Sequence, residues 1–283
     1  MKNKIFHILM FALLIMPAHS HAGIFGKNDV TYKQAKEKLQ PHKALYNIKL
    51  VATRSGSPII NISGKMLYEW KPTCEGWITD HKFNLLYEYA DSPGMEITSD
   101  FSTYETFDGE NFNFIAQRKR NDQLYQEFRG SAETLSDGKI AEFSVPEDVI
   151  FDLDEKTYFP MTHTVKMIQK ALNEDKFFNA VVFDGSDDEG PVIINTFIGS
   201  SAEANAEVRK SDAIDQKLVR NKAWNISMAV FPKDEVEEAA ADYEMDVVFH
   251  ENGVISDMLV DYDDFSVTQS LVALEKIEAD SCS

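Results

Sequence analysis

Short runs in which apolar and polar residues alternate, each closed by a turn signal, recur through most of this 283-residue chain. A period of two places successive side chains on opposite faces of an extended strand, so this pattern constrains the fold more than any other feature. Phe83, Leu85, Tyr87 and Tyr89 share one phase, and Lys82, Asn84 and Glu88 share the other. Trp224, Ile226, Met228 and Val230 alternate with Asn225 and Ser227. Tyr243, Met245, Val247 and Phe249 alternate with Glu244, Asp246 and His250, which are expected to face solvent. Val181 and Phe183, followed by Val192, Ile194, Thr196 and Ile198, form a further pair. Between the runs stand Ser92-Pro93-Gly94, Asp108-Gly109, Asp137-Gly138, Asp184-Gly185 and Asn252-Gly253, residue types that accept the backbone of tight turns. Connections this short leave no room for crossover helices, so the sheet is expected to be antiparallel with about ten to twelve strands. The fold class that follows is mainly β. A single large antiparallel sheet curls into a spiral or open barrel-like form, with one or two short helices covering it.

Two segments break the alternation. Tyr32 to Leu39 is charged and is stopped by Pro41, which predicts a short surface helix. Met161, Val165, Ile168 and Leu172 recur at i, i+4, i+7 and i+11, which predicts one apolar stripe on a helix over about 162–173. Thr162, following Pro160, is the expected N-cap of that helix. A lone amphipathic helix in a β sequence needs an apolar surface to cover, and the concave face of a curled sheet offers one. Residues 199–222 are polar, with acids and bases interspersed, and are expected to form an exposed loop within one β domain spanning 23–283.

Lys2 and Lys4 precede an apolar run from Ile5 to Met16, and Pro17 and Ser20-His21-Ala22 follow. This is the grammar of a cleaved signal peptide over residues 1–22. The run is too short to cross a hydrocarbon layer of ~30 Å as a helix, although an uncleaved anchor is the alternative. No second long apolar segment occurs, so the mature chain is expected to be periplasmic and not membrane-spanning. The formal charge of −19 repels phosphate backbones and excludes nucleic acid as an expected partner. Two cysteines, Cys74 and Cys282, follow an export signal, and an even count in an oxidising compartment suggests one structural disulfide. No C-x-x-C spacing supports thiol catalysis.

The chemistry-bearing clusters are few. Asp184-Gly-Ser-Asp187-Asp188-Glu-Gly190 carries oxygen ligands of the kind calcium takes, which makes Asp184, Asp187 and Asp188 the metal candidates. The calcium-loop pattern then fails, because Glu189 falls where glycine is needed and Asn195 where a bidentate Glu is needed. An acidic hairpin loop is the plainer reading, and neither metal nor cofactor is expected. Asp261, Asp263 and Asp264 would need to sit in a cleft opposite another acid to hydrolyse a glycoside. They are expected on a solvent-facing strand instead. His42, His81, His163 and His250 show no zinc spacing, and His163 is expected to cap or pack locally. Phe112, Phe114, Phe128, Phe143, Tyr158, Phe159, Phe177 and Phe178 are enough either to fill a core or to line a pocket for an acyl chain. No catalytic residue is expected.

Several segments taken together resemble a known family. His42-Lys-Ala-Leu-Tyr46 with Leu50, Gly64-Lys-Met-Leu-Tyr-Glu69 and Cys74-Glu-Gly76 come first. Thr103-Tyr104-Glu105, Asp108-Gly109, Phe159-Pro160-x-x-His163 and Phe183-Asp184-Gly185-Ser186 follow. Glu251-Asn252-Gly253 and Asp261-Tyr262-x-Asp264-Phe265 precede the final Cys282. In order and spacing, over about residues 40–282, this is similar to the EipB-like family of cell-envelope integrity proteins. The resemblance implies a periplasmic β-spiral with a disulfide between an early and a C-terminal cysteine, positions that Cys74 and Cys282 match. It also implies a role in envelope integrity under stress, without catalysis, and a fold similar to the curled sheets of lipoprotein carriers. The function expected from it is binding of an envelope protein or peptide, with Phe159, His163, Val165, Ile168, Phe177 and Phe178 as the ligand or partner face. A carrier of acyl lipid or lipoprotein on the concave apolar face is the alternative. A hydrolase using acids near Asp184 or Asp261 is the third reading.

Overall fold

The computed structural model describes residues 29–233, 240–278 and 282. The expected signal peptide, 1–22, lies outside them. After a short helix α1 (Tyr32–Lys36) come eight strands: β1 (His42–Thr53), β2 (Ile59–Pro72), β3 (Gly76–Tyr89), β4 (Met95–Thr106), β5 (Asn111–Arg120), β6 (Gln123–Leu135), β7 (Gly138–Val145) and β8 (Ile150–Leu153). Helix α2 (Pro160–Leu172) leads to β9 (Phe177–Val182) and β10 (Val192–Ala202). A short helix α3 (Ala206–Lys210) and a 3₁₀ turn (Gln216–Leu218) precede β11 (Ala223–Pro232), β12 (Tyr243–His250), β13 (Ile255–Tyr262) and β14 (Phe265–Lys276).

All fourteen strands belong to one antiparallel sheet in the order β8-β7-β6-β5-β4-β3-β2-β1-β14-β13-β12-β11-β10-β9. The first and last strands pair at its centre, with His42 opposite Lys276 and Thr53 opposite Phe265. Two unbroken meanders run outward from that pair. The turn chemistry explains why: Asp108-Gly109 closes β4 onto β5 and Asn252-Gly253 closes β12 onto β13, with Gly109 and Gly253 in the left-handed region. The strand count exceeds the expected ten to twelve. The additions include β8, four residues long, and β6, whose half-exposed sequence carries little alternation.

Helix α2 links the two free edges and lies inside the curl. Met161, Val165, Met167 and Ile168 pack with Trp70 and Trp77 from one arm and with Phe178, Val182, Ile226 and Val247 from the other. Strands far apart in the sheet therefore meet around one helix, and this is the direct evidence of curling. The sheet does not close on itself. Beyond β8, Tyr158 makes a single backbone bridge to Val182, donating to Val181 O and accepting from Phe183 N. His163, Met167 and Ala171 are buried in addition to the expected stripe, because a helix inside a curled sheet meets neighbours on most of its sides.

The stretch expected as an exposed loop, 199–222, departs from that expectation. It begins as the end of β10 and then folds α3 and the 3₁₀ turn. Ala204, Val208, Ile214, Leu218 and Val219 are buried against Tyr46, Ile48, Ile62, Val254 and Leu271. Ile214 bridges Leu274, using the part of β14 that extends past its pairing with β13. Few apolar residues spread among charges gave this segment a polar average, yet those few all face inward. The same segment buries His250, whose alternation phase points it to solvent: Asn221 and Ser256 each lie 2.9 Å from one of its ring nitrogens.

Cys74, in the β2–β3 connection, is bonded to Cys282, with Cα atoms 5.5 Å apart and 208 residues between them. A loop of that size constrains the unfolded chain by up to about 5 kcal/mol in the chain-entropy account. The double substitution Cys74→Ser/Cys282→Ser should lower the urea midpoint by the equivalent of several kcal/mol while leaving the far-ultraviolet spectrum unchanged. An unchanged midpoint would remove the disulfide from the list of stabilising features.

Candidate functional site

The N-terminus of α2 has no cap from its own chain segment. Phe159 occupies the cap position in an extended conformation and Pro160 sits at the first helical position, where its missing N–H costs nothing. Thr162, expected as the cap, lies instead within the first turn. The acceptor comes from across the molecule. Glu105, on β4, is 1% exposed and receives the backbone N–H of Met161 at 2.6 Å and of Thr162 at 2.7 Å, together with the Thr162 hydroxyl. A carboxylate at this point answers both the unpaired donors and the positive end of the helix.

The surroundings of this contact are tightly built. Gly109 holds a φ of +73°, and a Cβ there would come within 2.7 Å of the Thr162 hydroxyl. Lys139 donates to the carbonyls of Thr157 at 2.8 Å and Gly109 at 3.3 Å and lies 4.4 Å from the centre of the Phe159 ring. Burial pushes the Glu105 carboxyl up to about 7, against the Thr162 and Met161 hydrogen bonds and the charge of Lys139. Burial also lowers the pKa of Lys139.

The residues expected as a ligand or partner face divide into two sets. Phe159, Val165 and Ile168 are fully buried, and His163 and Phe178 nearly so. His163 stacks on Phe178 at 5.4 Å, and its Nε2 has no hydrogen-bond partner among the described residues. Phe159 stacks on Phe112 at 5.0 Å, within a cluster that also holds Phe114, Phe128, Phe143 and Phe183. These rings fill the interior. Phe177 is the exception: it is 72% exposed on the outer face, 5.4 Å from Phe197, itself 45% exposed. The two rings border a groove of about 450 Å³ that Asn179, Asn195, Glu244 and Asp246 also line. The period-two phase explains the split, because Phe177 and Phe178 are neighbours on a strand and must face opposite ways.

Among the described residues, no three His, Cys, Asp or Glu side chains gather as a metal site would require. Asp184 accepts from Ser186 N at 2.9 Å and Asp187 from Glu189 N at 3.0 Å, so both acids shape their own loop. That loop turns beneath the sheet. Arg118 donates to Ser186 O at 2.8 Å, and a Cβ on Gly185 would meet the Phe114 ring at 2.3 Å. Asp261 accepts from Ser266 on the neighbouring strand. His42, His81, His163 and His250 are each pushed down to about 4 by burial. Two contributors escaped sequence reasoning. Glu105 has a legible signal, since it shares the inward phase of Thr103 on β4, where a charge needs a partner; Phe197 becomes visible only through its register opposite Phe177.

Comparison with known proteins bears on this arrangement. The EipB-like family model matches residues 33–278. The chain belongs to the EipB-like family. It is 29% identical over 240 residues to the cell envelope integrity protein EipB of Brucella abortus, covering 84% of each chain. Its fold matches the crystal structure of a beta-barrel-like protein of a domain of unknown function from Brucella abortus, with a TM-score of 0.79 and 27% identity. That match covers 85% of this chain and 99% of the other. The family-like motifs that lie far apart in sequence meet physically: Thr103-Tyr104-Glu105 caps Phe159-Pro160-x-x-His163, Asp108-Gly109 packs on Thr162, and Gly185 packs on Phe114.

The raised carboxyl gives a signed pH dependence. Glu105 holds its proton in the folded state up to about 7, whereas the unfolded chain releases it near 4.5. Its contribution to stability is therefore full below 4.5 and lost as pH rises through 7, a swing on the order of 2–3 kcal/mol. The buried histidines act oppositely, since the unfolded chain takes up their protons near 6.5 and the folded chain only near 4. Subtracting urea-derived stabilities of Glu105→Gln from those of the parent isolates the first effect. The difference should change steadily between pH 4.5 and 7, and a constant difference would show that Glu105 is not linked to folding in this window.

Proposed function

We propose that this chain is an exported, non-enzymatic periplasmic protein that supports cell-envelope integrity by binding an extended segment of another envelope protein. Residues 1–22 act as its export signal, and residues 23–283 form one β-spiral domain. Membership of the EipB-like family and similarity to a cell envelope integrity protein support the role. The disulfide suits an oxidising compartment. No helix of the described residues is long and apolar enough to cross a membrane.

The observation that carries the binding mode is the exposed Phe177–Phe197 pair beside a sheet edge. Strand β9 ends the sheet, and beyond the bridge at Tyr158 its outer side has no strand neighbour among the described residues. An unpaired edge accepts an added strand through main-chain hydrogen bonds, and side-chain anchors then set the specificity. Phe177 lies at the start of that edge and Phe197 opposite it on β10. Covering each ring is worth roughly 1.5–3 kcal/mol. The carrier reading needs interior space that α2 and the phenylalanine cluster already occupy.

Cross-linking in the native periplasm followed by affinity purification tests this reading. The double variant Phe177→Ala/Phe197→Ala should reduce capture of the partner by about tenfold or more. Its thermal midpoint should stay near that of the parent, since both rings are exposed. Capture at the parental level would overturn the reading, and an acyl lipid found by native mass spectrometry of the purified protein would replace it with the carrier.

A further inference from the structure

The stretch from the end of β10 to the start of β11 forms an open cleft of about 610 Å³. Arg209, Lys210, Arg220 and Lys222 all line it, on a chain whose formal charge is −19. Glu203 is the one acid among the lining residues, and it contacts Arg209 at 2.5 Å from a side chain that is 77% exposed. Lys210, Arg220 and Lys222 have no ion pair among the described residues. Four cations around one open concavity repel each other and set a local positive potential against the negative surface.

The walls are fixed independently of any ligand. Asn205 accepts the N–H groups of Glu207 and Val208 and donates to Asp257 at 3.1 Å, which fixes the start of α3. Gln216 donates to Val208 O at 2.9 Å, and Val208 and Val219 are buried beneath the cleft. Asn221, which also lines it, is held against His250 at 2.9 Å. The backbone that carries the four cations is thus fixed in advance, and their exposed side chains remain to be ordered by a ligand.

We propose that this cleft binds a phosphate-bearing molecule. Two guanidinium groups and two ammonium groups suit an anion with more than one charge and three acceptor oxygens, and arginine forks match phosphate geometry in pairs of hydrogen bonds. The cleft has room for a phosphate that carries an organic portion. A phosphorylated head group and a soluble phosphoester share this chemistry. Glu203 acts as a built-in competitor, occupying Arg209 until the ligand displaces it. The site is separate from the Phe177–Phe197 groove, since no residue lines both.

The test uses the oxidised full-length mature protein and two probes. Inorganic pyrophosphate is titrated calorimetrically at low ionic strength, and sedimentation is measured with phosphatidylcholine vesicles with and without phosphatidylglycerol. Pyrophosphate binding should weaken about tenfold or more in Arg220→Gln/Lys222→Gln, as loss of charge-assisted hydrogen bonds dictates. It should tighten in Glu203→Gln, a change that no general loss of structure would mimic. Thermal melts confirm that each variant is folded. Vesicle association that needs phosphatidylglycerol and falls in the same double variant assigns the site to a head group. Pyrophosphate binding without vesicle association assigns it to a soluble ligand. Binding of neither probe, or binding indifferent to both sets of substitutions, overturns the proposal.

Discussion

The capping of α2 by Glu105 is the contact on which the rest of the architecture depends. Fourteen strands in two meanders would form a broad twisted ribbon whose concave face is apolar and wet. A sheet of that size must curl, split or be covered. Helix α2 is the cover, and it must enter the curl pointing the right way from a chain that has just left the edge at β8. Its first turn presents unpaired N–H groups to a dry interior, where each would cost about 1–3 kcal/mol if left unanswered. Glu105 answers two of them from the opposite wall. A carboxyl group buried in an apolar wall would itself be costly without those donors, so each group makes the other tolerable. This reciprocity fixes the helix axially and rotationally, and through the helix it sets how far the two arms of the sheet close.

Much of the fold was legible because period-two alternation and turn chemistry are local. The hairpins at Asp108-Gly109, Asp184-Gly185 and Asn252-Gly253 form where the dipeptides stand. The helix over 162–173 was legible for the same reason, although its cap was not. A cap normally lies beside the helix in sequence, and this one comes from 56 residues away. The error at 199–222 has a different origin. Burial there depends on five small or aliphatic residues facing inward from a segment whose remaining positions are charged, polar or small. Averaging over a window hides that, and only the free flank of β14, a tertiary feature, gives those residues something to cover.

Phe177 illustrates the limit of reasoning from residue type. Phe177 and Phe178 are adjacent and chemically identical, and the sequence reading assigned both to the same face. Strand geometry separates them: one ring stacks on His163 in the core, and its neighbour meets Phe197 outside. An interior ligand face built from Phe159, Val165, Ile168 and Phe178 is thereby replaced by a filled core. The aromatic richness of the chain turns out to serve packing, with rings at 4.8 to 6.4 Å across β5, β7, β8 and the approach to α2.

The interior is filled, and the outer surface is not uniform. Strong net negative charge keeps the molecule dispersed and discourages indiscriminate contact with anionic surfaces. Against that background, departures from the average carry the information: two exposed phenylalanines at the end of an edge strand, and four cations around one cleft. The two lie on the same arm of the sheet, since β10 contributes Phe197 to the groove and Ser201 and Ala202 to the cleft. Strand β10 is the element they share. A segment that added to β9 would stiffen β10 from one side, while an anion in the cleft would stiffen its far end. Strands β9 and β10 are the last of their arm, far from the β1–β14 pair at the centre, as β7 and β8 are of the other arm. Occupancy of one surface would favour occupancy of the other only to the extent that each restrains this shared strand.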